Sequence, residues 1–128
     1  MANSNILRTR GLIVMKIRIG WVSNSSSCSF YITNKTDQIK TMKEFAEETK
    51  YLVDEYNKRY YWNSINVEDY LEAAESEYDY VWKPQEKLIC VFGDEHYNAM
   101  GMVLDYMLRD CEDDETESFC WSLKEILR

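Results

Sequence analysis

Apolar residues recur at helical spacing in the segment that follows Thr41. Glu44, three residues later, completes a capping box, which marks the start of a helix. One stripe, at intervals of 3, 4, 3 and 4 residues, consists of Met42, Phe45, Thr49, Leu52 and Tyr56. The pattern predicts one helix that runs from Thr41 to about Arg59 and buries this face.

Two shorter helices are predicted further along the chain. Asn66 has the side chain of a helix cap, and acids in the following turn complement the helix dipole. The apolar stripe of this second helix is Val67, Tyr70, Leu71 and Ala74. Gly93 and Asp94 are predicted to end a strand and to cap the third helix. Its buried face is predicted to be Tyr97, Met100, Val103, Leu104, Met107 and Leu108.

Strand patterns occupy much of the remaining sequence. Residues 15–22 alternate apolar and basic side chains, and residues 28–33 are rich in aromatic and β-branched residues. We expect these two strands to pair as a hairpin across the serine-rich turn between them. A second hairpin is predicted from residues 78–82 and 88–92, joined by a type I turn with Pro84 at its second position.

The two ends of the sequence have weaker patterns. Residues 119–128 predict a strand followed by a short helix, with Leu123, Ile126 and Leu127 facing the core. Residues 1–14 have no apolar period and are predicted to be an N-terminal extension, with Met15 as an alternative start. Residues 15–128 are then one α+β domain, with a small, mainly antiparallel β-sheet and about three α-helices on one face.

Composition excludes several classes of protein. A chain with 45% apolar and 30% charged residues is typical of a folded globular domain rather than a disordered one. No apolar run approaches the roughly 18 residues of a membrane span, and the first 30 residues lack the apolar core of a signal peptide. We therefore expect a cytoplasmic protein that has no membrane partner.

The sequence contains few of the residues that usually carry catalysis. There is no phosphate-binding loop, dinucleotide fingerprint or Gly-x-Ser-x-Gly motif. Four cysteines without a Cys-x-x-Cys pair, and one histidine, His96, predict free thiols with no metal and no cofactor. Cys90 with His96 is a weak candidate for a thiolate pair. We predict no catalytic residue, and an enzyme of unrecognised type stays an alternative.

Charge is unevenly distributed along the chain. The formal net charge is −8, but residues 1–36 contain five bases and no acid. The remainder contains 23 acids and 10 bases, a net charge of −13. Such a body repels nucleic acid and attracts basic protein surfaces. A surface that serves only solubility is the alternative interpretation.

The second predicted helix concentrates this charge on one side. Its acids, which follow at intervals of 1, 3 and 3 residues opposite the apolar stripe, are Glu68, Asp69, Glu72 and Glu75. We predict that this acidic face binds a basic protein surface, with no direct contact to nucleic acid. A second acidic segment, residues 110–117, lacks the glycine and the ligand spacing of a calcium loop and is predicted to be an exposed loop.

The least ordinary stretch of the sequence is the serine-rich segment from Ser23 to Phe30. Hydroxyl and backbone N–H groups in a tight turn are able to hold an anion. This suggests a weak binding site formed by Asn24, Ser25, Ser26 and Ser27. A polar hairpin loop without a ligand is the alternative interpretation.

The stretch from Met15 to Phe30 resembles an N-terminal signature found on many small phage and bacterial proteins. The chain reads Gly-Trp-Val-Ser-Asn-Ser-Ser-Ser-Cys-Ser-Phe over residues 20–30, with Trp21 replacing a phenylalanine and Cys28 replacing a serine. Residues 34–36, 41–48, 92–95 and 105–109 also resemble landmarks of one family with this signature. The resemblance implies a phage, prophage or phage-exposed bacterial source, and it transfers no catalytic residue.

These observations favour a non-enzymatic binding protein. The specific hypothesis is a phage-encoded inhibitor that covers the basic groove of a host nuclease or defence complex through an acidic surface. A virion or structural accessory protein, and an enzyme of unrecognised type, are the alternatives.

Overall fold

The computed structural model describes residues 27–75, 80–93 and 98–127. The predicted extension at residues 1–14, the predicted strand at residues 15–22 and residues 23–26 of the serine segment lie outside these residues. The elements, in chain order, are β1 (Ser27–Asn34), β2 (Lys40–Thr41), α1 (Met42–Thr49), α2 (Tyr51–Arg59), a 3₁₀ helix (Tyr61–Asn63), α3 (Val67–Glu75), β3 (Val81–Trp82), β4 (Lys87–Gly93), α4 (Asn98–Asp110) and β5 (Phe119–Leu127).

A three-stranded antiparallel sheet in the order β4-β1-β5 forms the centre of the fold. Alternate residues of β1 face the helices and are fully buried, namely Cys28, Phe30 and Ile32. Strands β2 and β3 form a separate two-stranded sheet. The predicted α+β class is thus confirmed. No helix within the described residues has both the length and the apolar character that crossing a membrane requires.

Strand β1 is paired on both of its sides. Residues 27–33 pair with β4, and residues 27–34 pair with β5. A strand has only two edges, so β1 has none left for a hairpin partner. The prediction that residues 15–22 pair with β1 is therefore wrong, because partners distant in sequence occupy both edges.

The first predicted helix begins as expected. Thr41 N donates to the Glu44 carboxylate (2.9 Å), and Glu44 N donates to the Thr41 hydroxyl (3.3 Å), which confirms the capping box. All five residues of the predicted stripe are buried. The helix is divided at Lys50, however, directly after the Thr49 hydroxyl donates to the Phe45 carbonyl (2.7 Å). Hydrogen bonding of a threonine to the preceding turn often bends a helix.

Aromatic rings fill the space between α1 and the sheet. The Phe45 ring lies 5.1 Å from Phe119 and 6.0 Å from Trp121, both edge-on, and 6.1 Å from Trp82. Trp82 is fully buried, and its indole N–H donates to the Ile32 carbonyl (2.9 Å). These rings join α1, β3 and β5 into one core.

The second predicted hairpin is wrong. Strand β3 pairs with β2, whereas β4 pairs with β1, so the two strands enter different sheets. The turn between them closes with Glu86 N donating to the Lys83 carbonyl (3.0 Å). Gln85 has a φ of 63°, which is the conformation of a type II turn rather than the predicted type I. Its side-chain amide donates to the Lys35 and Thr36 carbonyls and holds this conformation.

Residues 119–127 form one strand. The predicted short helix is wrong, because residues 119–127 pair with β1 along their length. Three side chains that were predicted to face the core are exposed, namely Leu123, Ile126 and Leu127. A β-bulge interrupts the ladder opposite Ser29 and Phe30.

Asn34 ties the end of β1 to two neighbouring loops and is fully buried. Its amide nitrogen donates to the carbonyls of Gln38 (2.6 Å) and Lys83 (3.1 Å). Its amide oxygen accepts from the backbone N–H (2.9 Å) and the hydroxyl (2.7 Å) of Thr36. One side chain therefore satisfies four hydrogen-bonding groups around the turn from β1 to β2.

Candidate protein-binding surface

Helix α3 positions the predicted acidic face. Asn66 caps it as expected, because the Asn66 side chain accepts from Asp69 N (2.8 Å). Tyr70 and Ala74 are buried, and the Tyr70 hydroxyl lies 2.8 Å from the Thr49 hydroxyl of α1. Burial raises the pKa of Tyr70 far above its usual value, so this hydroxyl stays neutral. The side of α3 opposite these contacts is exposed.

The structure brings three of the four predicted acids together as an unpaired group. Glu68, Asp69 and Glu72 are exposed, and none of them forms an ion pair with any described residue. Glu75 instead pairs with Lys43 of α1 at 2.7 Å, so it contributes to the contact between two helices. We call Glu68, Asp69 and Glu72 the acidic face.

Two exposed aromatic side chains precede α3. Tyr61 and Trp62 are 76% and 70% exposed, and their rings lie 5.2 Å apart. Trp62 also contacts Tyr60 at 5.8 Å, and Tyr60 packs 4.9 Å from the buried Tyr56. We call Tyr61 and Trp62 the aromatic pair. The sequence patterns did not assign these residues to a site, and the available signal was adjacent aromatic residues outside any apolar stripe.

Hydrogen bonds fix the segment that joins the aromatic pair to the acidic face. The Asn57 side chain of α2 donates to the Ile65 carbonyl (2.8 Å) and accepts from Ile65 N (2.9 Å). The Ser64 hydroxyl donates to the Tyr61 carbonyl (3.0 Å). The two groups are therefore displayed from one anchored segment, with only five residues between Trp62 and Glu68.

Of the four residues predicted to form the anion site, the structure describes only Ser27. Ser27 is the first residue of β1, is 5% exposed, and pairs with Gly93 and Leu127. It belongs to the sheet rather than to an exposed loop. Asn24, Ser25 and Ser26 lie outside the described residues, so the anion site stays a prediction.

The described residues do not assemble a recognisable catalytic group. Cys90 is buried, and burial raises the pKa of its thiol, which is the opposite of an activated thiolate. His96 lies outside the described residues. No three potential metal-binding side chains come together in the part of the chain that the structure describes. A surface groove of about 400 Å³ on the open side of the sheet is lined by residues that include Lys87, Glu115 and Cys120.

The acidic segment at residues 110–117 is exposed but anchored. Asp110 pairs with Arg59 at 3.1 Å, and Glu115 pairs with Lys35 at 2.6 Å. Asp113 accepts a hydrogen bond from the Tyr51 hydroxyl at 2.9 Å. These contacts occupy half of the acids in the segment, which leaves α3 as the clearer unpaired group.

Glu48 holds the end of this segment, and its replacement should make stability depend less on pH. Burial tends to raise its pKa, but hydrogen bonds from Ser118 N (2.9 Å) and the Thr116 hydroxyl (2.6 Å) outweigh burial and lower it below 4.5. A lowered pKa stabilises the fold above the unfolded value and loses that effect as pH falls. We expect Glu48→Gln to lower the melting temperature by roughly 3–6 °C at pH 7.

The difference between Glu48→Gln and the unchanged protein should shrink as pH falls through 4.5, the ordinary value for this carboxyl group. Thermal melts at pH 7, 5 and 3.5 measure it. A constant difference across that range would contradict the ionised role of Glu48.

Comparison with known proteins yields no relative: no family model, no curated protein and no solved structure matches this chain.

Proposed function

We propose that this chain is a non-enzymatic binding protein that engages a basic protein surface through the acidic face of α3 and the adjacent aromatic pair. The observation that carries the proposal is that three exposed acids, without ion-pair partners among the described residues, follow two exposed aromatic rings closely in sequence on one anchored segment. Exposed tyrosine and tryptophan are enriched among the residues that dominate binding energy at protein interfaces.

Charge favours a cationic partner. The chain carries a formal net charge of −8, and no described residue forms an ion pair with the acidic face. A negative surface speeds the encounter with a positive one at low salt, and this advantage falls as salt rises. The same charge disfavours direct contact with nucleic acid.

The aromatic pair supplies a second kind of contact for the same partner. Arginine and lysine side chains bind over tryptophan and tyrosine rings, with about 0.5–2 kcal/mol per contact. Trp62 and Tyr61 therefore suit the side chains that the acidic face attracts. A basic groove built for phosphate, as in a nucleic-acid-binding protein, offers such side chains.

The resemblance of residues 15–30 to a phage and bacterial signature narrows the proposal. The partner class that we favour is a host nuclease or defence complex in the cytoplasm, whose basic groove this protein would cover. A virion accessory role and an enzyme of unrecognised type are the competing functions. Capture of a basic host protein would favour the binding protein over both.

Reversal of charge on the acidic face should weaken binding. The bait is the full chain, and the partner is captured from host cells, identified, purified and then titrated. We expect Glu68→Lys combined with Glu72→Lys to weaken the complex at least about tenfold, since two charges are reversed at the contact. Trp62→Ala should weaken it by a similar factor if the ring is a hot spot.

A matched control distinguishes the effect of charge reversal at the acidic face from the effect of a change in net charge. Glu47→Lys with Glu55→Lys changes the total charge equally but lies on α1 and α2. This pair should alter affinity less than about threefold at 150 mM salt, because neither glutamate belongs to the acidic face or to the aromatic pair and salt screens exposed charges. Equal effects of both double variants, or unchanged binding by a folded Glu68/Glu72 variant, would refute the assignment of the surface.

A further inference from the structure

Strand β5 forms one edge of the three-stranded sheet. The outer side of its first residues is covered by the preceding chain, because Thr116 N donates to the Phe119 carbonyl (2.8 Å) and Trp121 N donates to the Asp114 carbonyl (2.9 Å). Beyond Trp121, no described residue pairs with the outer side of the strand. Residues 122–127 therefore present backbone donors and acceptors that another strand can extend.

This edge, which has no partner among the described residues, carries much apolar surface. Leu123, Ile126 and Leu127 are 43%, 43% and 37% exposed. Natural proteins usually keep edge strands short or charged, because a long apolar edge is a template for pairing. At nine residues, β5 is the longest strand in the described part of the chain. Its apolar edge indicates a partner strand.

The bulge in β5 changes which of its residues share a face. Leu123 pairs with Phe30, and Glu125 pairs with the residue before Phe30, so Lys124 is the extra residue. Leu123 and Ile126 both lie opposite inward-facing residues of β1, although they are three positions apart. In a regular strand, residues an odd number of positions apart lie on opposite faces.

Because the bulge puts Leu123 and Ile126 on the same face, β5 can pair with a second copy of itself in one antiparallel register. A two-fold axis between Lys124 and Glu125 sets each Lys124 opposite Glu125 of a second copy. The same register sets Leu123 opposite Ile126, and Ser122 opposite Leu127, each pair on matching faces. In a regular strand, a two-fold register that pairs side chains on the same face has to place one residue opposite the same residue of the second copy. A charged residue at that position would face a like charge, which is destabilising.

We propose that two copies of this chain pair through residues 122–127 of β5 in this register and form one continuous six-stranded antiparallel sheet. A lysine in a bulge ordinarily protects an edge from pairing. Within one chain Lys124 pairs with Glu125 at 2.9 Å, and in this register each Lys124 also faces Glu125 of the second copy, which favours this one partner. The contact is small beside a standard interface of about 20–30 residues a side, so the dimer dissociates at roughly micromolar concentrations.

Charge exchange at the two central residues tests the register. The full chain is followed by sedimentation velocity over a range of concentrations. Lys124→Glu and Glu125→Lys each place like charges opposite one another and should raise the dimer dissociation constant at least about tenfold. An equimolar mixture of the two variants recreates both opposite-charge pairs and should associate about as tightly as the unchanged protein.

Recovery in the mixture would show that association depends on this register and not on net charge. Both variants are negatively charged overall, so net charge alone would not draw them together. Lys58→Glu and Glu55→Lys, an exposed pair on α2, serve as matched controls and should leave the dissociation constant unchanged. A chain that stays monomeric up to roughly 100 μM overturns the proposal. Single variants without effect, or a mixture that fails to recover association, overturn it equally, and a circular dichroism spectrum verifies that each variant is folded.

Discussion

Replacement of Phe45 by alanine is expected to lower the free energy of unfolding by about 3–5 kcal/mol. The side chain is fully buried and contacts three aromatic rings that belong to β3 and β5. Its removal leaves a cavity that rigid neighbours such as Trp82 and Phe119 cannot readily fill. The loss therefore includes both the transfer of apolar surface and the cavity itself.

Urea denaturation measures this change. The midpoint should fall while the dependence on denaturant stays the same, since the native state remains compact. Tyr61→Ala is the control, because that ring is exposed and its removal should change stability by no more than about 0.5 kcal/mol. A loss below about 1 kcal/mol for Phe45→Ala would show that α1 does not pack on the sheet as described.

A change of one atom at Asn34 is expected to be almost as costly. Asn34→Asp keeps the shape of the side chain but replaces the two N–H donors that bind the Gln38 and Lys83 carbonyls. A carboxylate would then face two carbonyl oxygens inside the protein. Two partly buried acceptors lose their donors, and the cost should be about 2–4 kcal/mol at pH 7.

Acid should partly reverse the effect of Asn34→Asp. Burial beside two carbonyls raises the pKa of the introduced carboxyl group, so the folded state prefers its protonated form. Stability is then greatest below the unfolded pKa and falls as pH rises through the folded one. Unfolding at pH 4 and pH 7 measures this. Asn63→Asp is the exposed control, and an Asn34→Asp loss that is equal at both pH values would contradict the hydrogen bonding of Asn34.

The helices were predictable because their signals are local. A capping residue, its partner three positions later and an apolar stripe lie within a few turns of one another, as at Thr41 and Glu44. The division of the first helix at Lys50 was not predictable from the stripe, which continues across it. Thr49 bonds to its own helix and approaches Tyr70 of α3, and the second contact depends on the tertiary fold.

The strand partners were not predictable because pairing is decided at long range. A proline turn between two apolar runs suggested a hairpin, but β3 and β4 find their partners in β2 and β1. Leu123 and Ile126 suggested a helix because they are three residues apart. A bulged strand produces the same spacing on one face, so the periodicity alone was ambiguous.

The acidic face was predictable in part. Glu68, Asp69 and Glu72 follow from the stripe of α3, since residues opposite buried Tyr70 and Ala74 are exposed. The pairing of Glu75 with Lys43 depends on how α1 packs on α3, which no local pattern encodes. The aromatic pair was not predictable, because the exposure of Tyr61 and Trp62 depends on how the chain packs after α2.

The central position of β1 has a consequence for how the chain reaches its fold. Its partners range from Thr33–Lys87, 54 residues apart, to Ser27–Leu127, 100 residues apart. Closure of such long loops precedes any gain from the ladder, which slows folding towards the millisecond-to-second range. During synthesis, β1 leaves the ribosome with both of its edges unpaired. Both edges are fully paired only after residue 127 has emerged. Chaperones therefore have their longest opportunity to bind at this strand.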